Sequence, residues 1–340
     1  MKSNTVVLEI PFPGSISQAE NVINCLRERL RRAVKGRDEV IDLVLTAILA
    51  DGHVLLEDYP GSGKTSLAKA LGESIHDEFA GKGLPAFRRI QFTPDLLPSD
   101  MTGVSVFEPS AGAFEFRPGP VFTSVLLADE INRTSPKVQA AMLEAMAEKQ
   151  VTVDNVSYPL NDLFFVIATQ NPRETAGTYP LPLPQLDRFL FKIKMDHIDR
   201  DAELAVLAGC NTDKAFDAAI RTVSRREILD ARRAIRQAVF ISPAVQACLV
   251  DTARALRSHP SVAQGVSTRS LVLMMPALQV GAVLAGRDFV SSADIEKLAP
   301  YVFCHRLELH SSAKDATAVV AECLARPLEN LSRSTLSRSF

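Results

Sequence analysis

The sequence predicts an α/β fold: an open five-stranded parallel sheet covered by helices on both faces, followed by a smaller all-helical domain. Three observations predict it. Short apolar runs recur at 54–57, 89–92, 125–128, 164–168 and 189–193, separated by helix-like segments. A glycine-rich turn, Gly61-Ser62-Gly63, joins the first run to a stretch of good helix formers at 66–75. After about residue 197 the strand-like runs stop, and alanine, leucine and charged residues recur at helical spacing.

The elements follow in order. Val54-Leu55-Leu56-Glu57 is a buried strand ending in the glycine turn. Phe114-Glu115-Phe116-Arg117 alternates between Pro109-Ser110-Ala111-Gly112 and Pro118-Gly119-Pro120, which reads as a small hairpin inserted between two sheet strands. Ser135 is a good N-cap and Pro136 suits the first helical position. Val138, Ala141, Met142, Ala145 and Met146 then form a buried helical stripe. Val151-Thr152-Val153 and Val156-Ser157-Tyr158 flank Asp154-Asn155, the pattern of a tight hairpin. The helical domain is read at 225–239, 243–258 and 292–299, and the serine- and arginine-rich 332–340 as a frayed tail.

The bulk properties exclude several classes. With 46% hydrophobic and 23% charged residues among 340, the chain can bury a core, and a net charge of −2 sets up no field that attracts nucleic acid or anionic lipid. Cys25, Cys210, Cys248, Cys304 and Cys323 are scattered, as expected of thiols in a reducing compartment. Residues 1–14 do not read as a signal peptide. The apolar stretch 271–285 is short and interrupted by Pro276 and Gln279, so it reads as a core helix. A cytoplasmic protein with no integral membrane segment is expected. The six histidines are dispersed, which argues against a metal site beyond nucleotide-bound magnesium.

Chemistry concentrates at the ends of the apolar runs. Pro60-Gly61-Ser62-Gly63-Lys64-Thr65 has the context of a phosphate loop, strand before and helix after, so backbone N–H groups and the helix N-terminus can face an anion. Lys64 would reach the β- and γ-phosphates and Thr65 would bind magnesium. The full pattern G-x-x-x-x-G-K-[ST] has its first glycine where Asp58 stands, so the turn must rest on Pro60, Gly61 and Gly63. The third run ends in Asp129-Glu130, an aspartate for the magnesium shell and a glutamate for the attacking water. The fourth ends in Thr169-Gln170-Asn171, where Asn171 can orient that water. Alone, two acids at a strand end are common and an Asn-Pro is a turn signal. Their order after the glycine loop gives them weight. The expected cofactors are ATP and Mg2+.

These residues together resemble the MoxR-type branch of the AAA+ ATPases, over about residues 34–309. The matching stretches are Gly52-His53-Val54-Leu55-Leu56-Glu57-Asp58 and the loop after it, then Gln91-Phe92-Thr93-Pro94-Asp95-Leu96-Leu97-Pro98 and Phe116-Arg117-Pro118-Gly119-Pro120. Ala128-Asp129-Glu130-Ile131-Asn132-Arg133, Ala168-Thr169-Gln170-Asn171-Pro172, Tyr179-Pro180-Leu181-Pro182 and Gln185-Leu186-Asp187-Arg188-Phe189 complete the set. The resemblance implies an αβα nucleotide-binding domain over 1–197, with a helix-2 insert hairpin at about 107–121, a helical lid over 198–335 and a tail at 336–340. It implies that Gly61, Ser62, Gly63, Lys64, Thr65 and Ser66 hold phosphates and that Val34 and Gly36 form part of the adenine pocket. Asn171 becomes the sensor-1 residue, and Arg188 the arginine finger acting on a neighbouring subunit. Arg133 and Arg173 are rivals for that role, and a salt bridge to Asp187 is the other reading of Arg188. Arg269 is similar to the sensor-2 arginine, although Thr268 stands where proline is usual.

The function implied is ATP hydrolysis in a homo-oligomer, a hexameric ring, coupled to remodelling or maturation of a partner protein. Hydrolysis is expected to change the angle between the α/β domain and the lid. A partner with a von Willebrand factor A domain is implied. The alternatives are the motor subunit of a chelatase-like complex, or a nucleic-acid-dependent ATPase. Arg27-Glu28-Arg29-Leu30-Arg31-Arg32 is the best support for the latter, and it reads as the solvated face of an early helix, with no tryptophan to stack on bases. A phosphate-loop kinase would need neither lid nor trans arginine.

Overall fold

Five runs rich in valine, leucine, isoleucine and phenylalanine form the sheet: β1 (Val54–Asp58), β2 (Phe87–Gln91), β3 (Val125–Asp129), β4 (Phe165–Gln170) and β5 (Phe191–Met195). The computed structural model describes residues 15–58, 61–76, 85–171, 177–209, 220–310 and 315–336, so Pro60, Arg173 and Cys210 lie outside the described residues. The strands are all parallel, in the order β5-β1-β4-β3-β2. Every residue of β3 is buried, which is why the run is continuous rather than alternating. Period two decides the faces instead. Val125 and Leu127 join one apolar cluster, Leu126 and Ala128 the other.

On one face lie α1 (Ile16–Ala33), α2 (Asp38–Leu49) and α3 (Lys64–Glu73), and on the other α4 (Pro136–Glu148). A capping box between Ser15 and Gln18 starts α1. Its basic run is not wholly a solvated face. Arg27, Arg31 and Arg32 do pair with Asp42, Asp38 and Glu28. Arg29, however, is only 8% exposed and donates to Ser74 Oγ at 2.9 Å and the Ile220 carbonyl at 2.7 Å. It falls on the apolar stripe of α1, so the fold uses it as a buried pin.

The chain continues into α5 (Arg200–Gly209), α6 (Arg225–Ala238), α7 (Pro243–Ser258), α8 (Thr268–Leu284), α9 (Ser292–Phe303) and α10 (Ala316–Leu336). Serines 224, 242 and 267 cap α6, α7 and α8 through their side chains. The stretch read as a core helix is α8, whose Gln279 is satisfied by the Arg236 and Val239 carbonyls. The expected frayed tail is helical through Leu336, because Leu331 is buried in the core and Arg333 pairs with Glu329 one turn back.

The apolar cluster of the α1–α3 face runs without a break into the lid, through Ile228, Leu249, Met274, Leu278 and Val302. Arg232 on α6 reinforces that junction, donating to the Ile48 carbonyl at 2.8 Å and to Asp51 at 2.7 Å. Two hairpins decorate the sheet. Gly103–Glu108 pairs with Ala113–Pro118, exposing Phe114 at 73% beside Phe107. Gln150–Val153 pairs with Val156–Pro159 across Asp154 and Asn155, both in the left-handed region that a type I′ turn needs.

Candidate nucleotide site

The register brings the C-terminal ends of four strands to one edge: Glu57 beside Gln170, and Gln91 beside Asp129. β1 and β4 are neighbours whose onward connections run to opposite ends of the sheet, the point at which open α/β sheets bind ligands. At this edge Gly61 and Gly63 hold φ of 92° and 93°. An added Cβ at Gly61 would meet nothing within 4 Å, so the backbone conformation requires glycine there and space does not. Gly63 caps α3, so the first-turn N–H groups of Lys64, Thr65 and Ser66 open toward the loop. Lys64 is half-buried, and Thr65 and Ser66 are exposed.

A cleft of about 340 Å³ adjoins the loop, lined by Gly61, Ser62, Arg37, Met195 and His197 and by α5 through Glu203 and Val206. Gly36 braces its wall. It has φ 67°, and a Cβ there would come within 2.5 Å of the Ala202 Cβ. Val34 is buried, its Cγ1 3.7 Å from where a Cβ at Gly63 would stand. Two buried polar atoms at this cleft have no hydrogen-bond partner, Arg37 Nε and Ser62 Oγ. Buried polar atoms are ordinarily satisfied, so both suit a ligand that supplies the missing partners.

The acidic pair is held tightly. Asp129 accepts from Thr169 Oγ1 at 2.6 Å on one oxygen and from Arg89 Nη2 at 2.6 Å on the other. Thr169 Oγ1 also accepts from the Glu130 N–H at 2.9 Å, so one hydroxyl fixes both acids. Glu130 sits in the left-handed region, φ 59°. Its carboxylate accepts from Gln91 Nε2 at 2.8 Å and pairs with Arg133 at 3.0 Å. Asn171 follows the end of β4, half-buried, with Asp129 two strands from the loop and Asn171 on the strand between. Among the described residues no group of three or more His, Cys, Asp or Glu could hold a metal ion.

The remaining arginines divide by edge. Arg133 is tied to its own Glu130. Arg188 lies three residues before β5, at the N-terminal edge of the sheet, and donates to the Leu143 carbonyl of α4. A five-residue strand spans roughly 15 Å, more than an arginine side chain can bridge back to the phosphate loop. Exposed Arg269, in the first turn of α8, lies at the same edge, because Ser267 and Ser270 each donate to Asp187 at 3.3 Å.

Family comparisons agree with this architecture. The family model described as "ATPase family associated with various cellular activities (AAA)" matches residues 53–191, and an AAA lid domain matches residues 254–323. The chain is 34% identical over 294 residues to Chaperone MoxR1 of Mycobacterium tuberculosis, covering 82% of this chain and 74% of that one. It is 32% identical to Protein MoxR of Methylorubrum extorquens, over 82% and 85% of the two chains. The chain belongs to the MoxR-type AAA+ ATPases. YeaC of Bacillus subtilis is 44% identical over 92% of this chain and 94% of its own. A crystal structure from Cytophaga hutchinsonii superposes with a TM-score of 0.81 at 34% identity, covering 91% of this chain and 95% of that one.

For this MoxR-type chain, sequence reasoning missed Arg37, Arg89, Gln91 as a partner of Glu130, and Thr169. Thr169 and Gln91 stood inside quoted motifs, and the strand ends they occupy were a sufficient signal. Arg37 and Arg89 had none, since the strand pairing and the cleft alone give them their neighbours.

Proposed function

We propose that this chain hydrolyses ATP with magnesium in a ring of identical subunits and uses the change to remodel or mature a partner protein. The division of the arginines carries the reading. The phosphate loop, Asp129-Glu130 and Asn171 stand at one edge of the sheet, Arg188 and Arg269 at the other. A complete site therefore needs the far edge of a second copy.

In that site the α3 N-terminus, Gly61 to Gly63 and Lys64 bind the phosphates, with Val34, Gly36 and the cleft beside them taking the base. Thr65 and Asp129 would hold magnesium, which when bound would supply charge neutralisation at the phosphates. Glu130 polarises the attacking water and Asn171 orients it. Arg188 of the neighbouring subunit, with Arg269 beside it, stabilises charge developing on the γ-phosphate, a contribution of about 10³–10⁵ in rate. The reading includes a hexamer, a cytoplasmic location and a partner with a von Willebrand factor A domain, in keeping with the family resemblance.

Mixing tests the shared site. Arg188→Ala and Glu130→Gln homo-oligomers should each bind ATP and turn over poorly. Mixed, they recover activity where an Arg188→Ala subunit with intact Glu130 meets the Arg188 of a Glu130→Gln neighbour. No recovery at any ratio argues against the trans arrangement. The partner is sought with the Glu130→Gln trap in ATP. A nucleic-acid motor is disfavoured by the basic run of α1, whose arginines are buried or paired with acids. Stimulation of turnover by DNA would reverse that. The motor subunit of a chelatase-like complex differs only in its partner.

A further inference from the structure

Arg306 follows α9 in a short 3-10 turn, is only 4% exposed, and lies far along the chain from every residue assigned above. Its guanidinium has five N–H donors in a rigid fork, and all are used. Nε donates to Asp187 Oδ1 at 2.7 Å. One Nη2 bond goes to the Asp187 carbonyl at 3.1 Å and another to the Phe189 carbonyl at 2.6 Å. Nη1 donates to the Leu190 carbonyl at 3.2 Å and to the Val302 carbonyl of α9. Four of the bonds thus end on residues 187–190, the segment that carries Arg188. His305 adds a contact to the Phe189 carbonyl at 3.1 Å.

The same carboxylate reaches further. Asp187 accepts from Ser267 and Ser270, on either side of Arg269 in the first turn of α8. Arg269 is near enough that its charge opposes that of Arg306. Through Asp187, one buried guanidinium therefore joins the backbones bearing both far-edge arginines.

We propose that Arg306 is a positioning residue for catalysis in the neighbouring subunit: with Asp187 it holds the Arg188 segment and the Arg269 turn as one rigid unit. The proposal rests on the trans reading of Arg188. It makes the lid, through α8 and α9, part of the device that presents the finger. Lysine cannot substitute, because an ammonium has three donors at a point and no fork to span three carbonyls and a carboxylate.

The test separates what a subunit donates from what it hydrolyses. Lys64→Ala subunits offer a far edge but no working site, so in excess over wild type they act as donors to wild-type sites. Three donors are compared: Lys64→Ala alone, with Arg306→Lys, and with Arg188→Ala. A displacement of about 1 Å costs on the order of 10²-fold in rate. Wild-type sites beside the Arg306→Lys donor should therefore turn over roughly tenfold to hundredfold more slowly than beside the simple donor, with assembly retained and nucleotide Kd unaltered in the Arg306→Lys variant with Lys64 intact. Equal turnover beside the simple and Arg306→Lys donors, with the Arg188→Ala donor defective, overturns the proposal and leaves the trans reading standing. Full turnover beside the Arg188→Ala donor overturns both. If Arg306→Lys does not assemble, Asp187→Asn in the same format weakens the clamp at its half-exposed end, and a loss or no loss there decides in the same way.

Discussion

A guanidinium buried beside a cleft with its Nε unpartnered is costly, and Arg37 is in that position, 8% exposed. It stands at the N-cap of α2, where a guanidinium, having donors only, cannot cap the helix N–H groups. The residue therefore suits the bound state better than the free one. Arg37→Met should raise the melting temperature of the nucleotide-free protein and weaken nucleotide binding. A hydrogen bond to a charged group contributes about 1.5–3 kcal/mol, so Kd should rise roughly tenfold or more. Calorimetric titration with ADP checks one half and a thermal melt the other. A variant that binds ADP as wild type would show that Arg37 has no nucleotide contact. Glu130 presents the opposite case, a residue satisfied by Gln91 and Arg133 before any nucleotide arrives.

At the scale of the element, burial and strand pairing are separate properties, and a sequence displays only the first. The fifth strand was expected at 189–193 and is Phe191–Met195. Phe189 and Leu190 are as apolar and as buried as strand residues, but their carbonyls are taken by Arg306 and not by a neighbouring strand. The second strand begins at Phe87, two residues before its apolar run, because the edge position lets Arg88 and Arg89 face outward. The phosphate loop, the acidic pair and the Asn171 strand end were legible because their chemistry is local in sequence. The clamp on the far edge was not, since it joins positions 187 and 306.

His53, just before β1, ties β4 to α4 and carries a pH dependence. His53 Nδ1 accepts from the Val166 N–H at 3.1 Å, so the ring is neutral, and Nε2 faces the Met146 carbonyl at 3.3 Å. Burial pushes its pKa down to about 4. His305, buried beside Arg306, is also pushed well below the ordinary range, first by burial. Between the unfolded value near 6.5 and the folded ones, the unfolded chain binds more protons, so stability falls as pH falls through that window. Each histidine contributes a slope of about 1.4 kcal/mol per pH unit there. Denaturant midpoints from pH 7.5 down to 5 measure it. His53→Gln can keep both hydrogen bonds and should flatten the slope, and an unaltered slope would remove His53 as its source.

Over the whole molecule, the lid and the sheet face share one apolar cluster, and two buried arginines bridge them. Arg232 binds Asp51, which Lys149 also contacts at 2.8 Å, so the junction is charged as well as apolar. Rotating the lid against the sheet would open a close-packed core and strip both guanidinium groups of acceptors, which resists the angular change expected from the sequence. In the proposed ring, the softer degree of freedom would lie between copies, where each far edge would meet a neighbour's phosphate loop. The same continuity predicts how the chain unfolds. Scanning calorimetry of the nucleotide-free protein should give a single transition, with calorimetric and van't Hoff enthalpies in agreement. A 1–197 fragment, deprived of Ile228, Leu249 and Leu278, should expose the α1–α3 face and bind a hydrophobic dye without a cooperative melt. Two well-separated transitions in the full chain, or a fragment that melts cooperatively, would mean that the lid is an independent domain, and a hinge between the two would then again be the place to look for the power stroke.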